Sequence, residues 1–175
     1  MHKKFYYSAL GAFITCGIVI ANIGSNYDKA ECMICFTPGQ NCTKKIIDQI
    51  DSAKQEILVQ SYSFTSEPIA DALMRAHKRK VKIICLFDKS YEKQILILKM
   101  KNEGIEVKID QVSGIAHNKV MIIDEYLVLT GSFNFTKAAQ HRNVENSLHI
   151  KSEEIAKKYK ENFQKRYQLS RSIYH

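Results

Sequence analysis

Tryptophan is absent from this chain, and there are only two prolines and seven glycines in 175 residues. So little proline and glycine leaves no material for a disordered linker or a collagen-like repeat. No segment is low in complexity and no internal repeat is visible. With 175 residues, the chain has length for one domain with a real core and not for two. Acidic side chains are also scarce, 18 against 26 Lys and Arg, which gives a formal net charge of +8. Such an excess either is a solvated basic surface or points to a polyanionic partner, nucleic acid or an anionic membrane. Metal signatures are missing too. Neither a metal-binding carboxylate pair nor an H-E-x-x-H pattern occurs, which argues for chemistry without metal or other cofactor.

What is present begins with a basic start, His2, Lys3 and Lys4, followed by an uncharged run from Ser8 to Ile23. Residues 1–24 therefore read as a signal peptide cut after Ala21, or as a retained N-terminal anchor. Either way, residues 25–175 are expected to be an exported domain, periplasmic or secreted. Removing Lys3 and Lys4 lowers the net charge only from +8 to +6, so the basic bias belongs to the domain. Cysteine use agrees with export: Cys35 and Cys42 lie either side of the Pro38-Gly39 turn and are the candidate disulfide. With Cys32 they also raise a zinc site, but no nearby histidine completes a familiar spacing.

Periodicity predicts alternating elements. Strands are expected at Met33–Thr37, Glu56–Phe64, Val81–Phe87 and Ile105–Ile109, with helices at Thr43–Lys54, Ser66–Lys80 and Glu92–Asn102 between them. Three close-set strands follow, His117–Ile123, Tyr126–Thr130 and Val144–Ile150, then a helix from Ser152 to Tyr167. The fold class is α/β, a mixed β-sheet flanked by helices on both faces.

The chemistry concentrates between Gly114 and Asn146. On a strand His117 and Lys119 share a face, while Asp124 has the opposite parity. An imidazole beside an ammonium suits attack on a phosphodiester: the Lys neutralises phosphate charge and favours the neutral, nucleophilic His. Gly131 allows a sharp turn, after which Ser132 and Asn134 present phosphate-binding donors. Glu145 is placed to accept a hydrogen bond from the far ring nitrogen of His117. His77, His141 and His149 have no matching Lys, Ser and Asn around them.

The spacing H-x-K-x4-D-x6-G-S-x-N, met by His117, Lys119, Asp124, Gly131, Ser132 and Asn134, resembles the phospholipase D superfamily signature. The segments Cys35–Gly39, Tyr62–Thr65, Phe135–Ala139 and Asn143–Asn146 resemble its small bacterial branch of secreted endonucleases, with one motif per chain. That resemblance implies a phospholipase D-like fold and a phosphohistidine on His117. It implies phosphate binding by Lys119 and Asn134 with Ser132 in support, and orientation of His117 by Glu145. Asp124 and Gly131 belong to the signature, but turn position and parity assign them structural roles. A single motif lacks the acid that protonates the leaving oxygen. The resemblance implies a homodimer in which a second His117 supplies it across a two-fold axis. The expected substrate is DNA, with RNA as an extension. A phospholipid headgroup at a membrane is the alternative, and a non-catalytic nucleic-acid-binding protein the third reading.

Overall fold

In the computed structural model residues 30–173 are described. The leader expected over residues 1–24 lies outside them. Among the described residues no helix is long and apolar enough to cross a membrane.

The chain begins with β1 (Glu31–Thr37) and α1 (Cys42–Ser52), then β2 (Glu56–Ser61), α2 (Glu67–Lys78) and β3 (Lys82–Asp88). After a 3-10 turn at Lys89–Tyr91 come α3 (Ile95–Asn102) and β4 (Glu106–Asp110). The second half runs β5 (Lys119–Ile123), β6 (Leu127–Gly131), α4 (Lys137–His141), β7 (Glu145–Lys151), α5 (Glu153–Gln168) and β8 (Ser170–Ser172). One mixed eight-stranded sheet has the order β1-β7-β6-β5-β2-β3-β4-β8. β2, β3 and β4 are parallel, joined by the helical crossovers such a pairing requires. The remaining neighbours are antiparallel.

Alternation along the strands divides two cores. Ile57 and Val59 of β2 face α1, α2 and α3, where Ile46, Ile50, Ile69, Leu73 and Ile97 are buried with them. Leu58 of the same strand faces the other way, with Ile84, Val120, Ile122 and Val128, under Ala156 and Phe163 of α5. Helices thus cover both faces, as the mixed α/β expectation required. Ile155 and Tyr159 pack against this second core, so the aromatic stripe of α5 is packing.

Boundaries move where side chains cap. α3 starts at Ile95 rather than Glu92 because the Gln94 side chain accepts from the Leu96 amide at 2.6 Å, and Asp88 caps the preceding 3-10 turn. The strand expected from His117 begins at Lys119, leaving His117 in a loop. α4 and β8 escaped the sequence reading, since five and three residues are too short for a periodic signal. A disulfide joins Cys35 to Cys42, with Cα atoms 5.7 Å apart, tying the buried side of β1 to the first turn of α1. Cys85 is free and buried in β3, and burial pushes its thiol well above the usual range.

His149 of β7 is buried with its Nε2 3.0 Å from Ser147 Oγ, and its Nδ1 has no partner among the described residues. Desolvation, aided by Lys45, lowers its pKa from 6.5 to about 4. The unfolded chain therefore binds the extra proton first. Stability is complete above pH 6.5 and falls as pH drops toward 4, by about 3 kcal/mol from this group alone. Denaturant titrations at pH 7.5 and 4.5 should show this loss, and His149→Gln should reduce it; an equal acid loss in the variant would contradict the assignment.

Candidate active site

The site lies along one edge of the sheet. β1, β2, β3 and β6 end there, and β5 and β7, antiparallel to their neighbours, begin there. The edge consequently gathers Thr37, Tyr62, Asp88, Lys119, Gly131 and Glu145 from segments far apart in sequence.

His117 stands exposed in the loop before β5, and the Tyr62 ring leans against its imidazole at 4.6 Å between centroids. The imidazole makes no hydrogen bond within the described residues. Lys119, the first residue of β5, is only 7% exposed. Its Nζ donates to the His117 carbonyl and lies 5.3 Å from the centre of the Tyr62 ring. Desolvation lowers the Lys119 pKa, and the field of Glu145 opposes that only in part. Among the described residues no carboxylate is hydrogen-bonded to it. A buried ammonium without an anionic partner is costly unless a ligand provides one.

The loop bearing His117 is held from below. Asp88, fully buried at the end of β3, accepts the Ala116 amide at 2.6 Å and the Ser90 amide at 2.9 Å. Burial opposes its ionisation, but these hydrogen bonds and Lys89 prevail and keep its pKa below the ordinary carboxylate value. Lys89 Nζ donates to the Val112 and Ser113 carbonyls at 3.0 and 3.1 Å, and Asp110 accepts the Val112 amide at 3.0 Å.

On the other side, Gly131 has φ +141°, and a Cβ there would lie 2.4 Å from the Asn146 carbonyl oxygen. Only glycine permits this approach of β6 to β7. It brings Ser132 against Asn146, whose backbone amide and Nδ2 donate to Ser132 Oγ at 3.1 and 3.3 Å. Asn134 Oδ1 is buried and has no partner among the described residues. Glu145, at the start of β7, accepts from Asn143 Nδ2 at 2.9 Å, so in this structure it is not hydrogen-bonded to His117.

Asp124 sits away from this edge, in the β5–β6 turn with φ +52°. Its carboxylate accepts the backbone amides of Lys54, Gln55 and Glu56 at 2.9, 2.8 and 3.0 Å. It thereby terminates the α1–β2 connection and aligns β2 beside β5. Charge-assisted bonds to three amides do structural work at the opposite end of the sheet.

Asp88 carried no signal in sequence, and Tyr62 only its place in the Tyr62–Thr65 segment that resembles the family; neither was a candidate site residue. Tyr62 reaches His117 because Ser61 of β2 pairs with Lys119 of β5, a register between residues 58 positions apart. His77 lies at the end of α2 against Gly104, His141 beside the N-terminus of α1, and His149 in the core. None of the three is in contact with the His117 ring. Among the described residues no cluster of three or more His, Cys, Asp or Glu could hold a metal ion.

The chain is similar to several known proteins. A family model described as cardiolipin synthase, PLD-like domain, matches residues 46–167. A phospholipase D of Rickettsia conorii is 44% identical over 141 residues, 79% of this chain and 70% of that protein. A mitochondrial cardiolipin hydrolase of Xenopus laevis is 31% identical over 123 residues, 69% of this chain and 59% of that protein. The crystal structure of Nuc, a phospholipase D family member from Salmonella typhimurium, superposes with a TM-score of 0.79 at 32% identity, covering 84% of this chain and 100% of that one.

Proposed function

Because the chain belongs to the phospholipase D superfamily, whose chemistry is phosphodiester hydrolysis, we propose that it is a nonspecific endonuclease acting on DNA, and on RNA by the same chemistry. The observation that carries the reading is Lys119, a buried cation with no carboxylate hydrogen-bonded to it among the described residues, beside an exposed and unbonded imidazole. A phosphodiester supplies an anion in direct contact with it.

In this reading Lys119 and Asn134 hold the non-bridging oxygens, and Ser132 braces the Gly131 turn. An imidazole nitrogen of His117 attacks phosphorus, the bond to the leaving oxygen breaks, and a phosphohistidine remains. Water then hydrolyses it and regenerates the imidazole. Glu145 orients His117 once substrate draws the ring inward, and until then its charge tempers Lys119. All groups are organic, so cleavage persists in EDTA.

The leaving oxygen needs a proton, and no second imidazole meets His117 within the described residues. The reading therefore includes a homodimer with the two His117 side chains facing across a two-fold axis. Exposed Phe36, Ile115 and Val144 on the rim of the site suit such a contact, Val144 being 88% exposed.

The net charge of +8 and the likeness to Nuc over all of that chain support nucleic acid. Phospholipid headgroup hydrolysis is the second reading, favoured by the relatives named phospholipase D and cardiolipin hydrolase. Purified protein assayed in EDTA on plasmid DNA, RNA, phosphatidylcholine and cardiolipin separates them. Cleavage of lipid without cleavage of nucleic acid would reject the nuclease reading. Export of the domain completes the proposal, and fractionation of expressing cells tests it.

A further inference from the structure

A cavity of about 540 Å³ opens on the same sheet edge, between the N-termini of α1 and α2. Asn41, Thr43, Ser66, Glu67, Lys137 and His141 are among its lining. α1 has eleven residues and α2 twelve, so two full helix dipoles present their positive ends here. The N-cap of α1 is satisfied, since Asn41 accepts the Lys44 amide at 2.9 Å. That of α2 is not. Ser66 is 4% exposed, lines the cavity, and its hydroxyl bonds neither to its own helix nor to any other described residue. A buried N-cap hydroxyl left idle at a helix start is a donor awaiting an acceptor.

The cavity lining carries two lysines, Lys44 and Lys137, against one carboxylate, Glu67. Lys44 is engaged by Asp48 at 2.7 Å, whereas Lys137 is exposed and has no ion-pair or hydrogen-bond partner among the described residues. Glu67 is the opposing charge. The cavity also adjoins the reacting groups. The Thr65 and Ser66 amides both donate to the Phe135 carbonyl at 3.0 Å, one residue beyond Asn134. Lys137 follows Asn134 by three residues, a span of at most about 11 Å.

We propose that this cavity is a second phosphate subsite, which takes the phosphodiester next to the scissile one in a polynucleotide. Ser66 Oγ and Lys137 Nζ are its donors, at the N-termini of α1 and α2. The inference rests on the nuclease reading and deepens it: a substrate with a single phosphodiester leaves the cavity empty, and a chain of them fills it.

The test compares full-length wild type, Lys137→Glu, Ser66→Ala and Glu67→Gln in EDTA on three substrates. These are bis-para-nitrophenyl phosphate, a single-stranded oligodeoxynucleotide and cardiolipin vesicles. Lys137→Glu should lower kcat/KM on the oligonucleotide about tenfold, and make its salt dependence shallower by about 0.7 in log–log slope. Ser66→Ala should lower it about threefold, and Glu67→Gln should raise it. Turnover of the small diester should stay unchanged in all three. Unaltered oligonucleotide kinetics, equal losses on both substrates, or a loss confined to cardiolipin would overturn the subsite. A wild type that cleaves the small diester but not the oligonucleotide would instead remove the nuclease reading, and the subsite with it.

Discussion

Replacing His117 with Asn should reduce phosphodiester cleavage by at least about 10⁴-fold while leaving oligonucleotide binding nearly intact. Asparagine keeps a polar group of similar reach but cannot attack phosphorus, and the cations that bind phosphate remain. Exposure makes the result clean, because the His117 ring leans on Tyr62 at the surface and its removal leaves no buried gap. The same variant interrogates the dimer. If each reaction draws a nucleophile from one subunit and an acid from the other, mixed dimers are dead. Co-expression of equal amounts of variant and wild type should then leave about a quarter of full activity, whereas independent subunits leave about half. Activity at one half, or a fully active monomer in sedimentation, would defeat the shared site.

Lys119→Met should move activity and stability in opposite directions. Activity should fall about 10²–10³-fold, the usual consequence of removing one charge that stabilises a developing anion. The folded chain should gain about 1 kcal/mol or more, a rise of a few degrees in Tm. The reason is that Lys119 is 7% exposed, is hydrogen-bonded to a neutral carbonyl, and has a pKa lowered by desolvation despite Glu145. Methionine fills similar volume without a charge to bury. Parallel thermal melts and cleavage assays give both signs. A variant that loses activity and stability together would show Lys119 to be a structural cation rather than a strained binding group.

The two variants probe one design. In the proposed reading an exposed nucleophile sits on a loop pinned by hydrogen bonds, and a buried cation beside it is kept ready at a cost to the fold. Asp88 pins that loop through the amide one residue before His117. Asp124, a member of the same short signature, spends its carboxylate on three amides at the other end of the sheet.

Most strands and helices were legible because their signals are local: short apolar runs in β5 and β6, apolar spacing in α1 and α2, and Pro68 beside the Ser66 cap. Family membership was legible for the same reason, since six spaced residues fall within the 18 from His117 to Asn134. Side-chain types and their separations along the chain are properties of the sequence by itself. They determined an α/β fold with a single phosphodiesterase motif. Only the tertiary structure decided that Lys119 is desolvated, that Tyr62 and Asp88 attend His117, that Glu145 turns to Asn143, and that Ser66 lines a cavity between two helix N-termini. Apart from the local Glu145–Asn143 bond, these depend on contacts between distant segments, such as the pairing of Ser61 with Lys119 or the meeting of helix ends at one sheet edge. Burial and electrostatic environment arise from groups distant in sequence, and no local pattern records them.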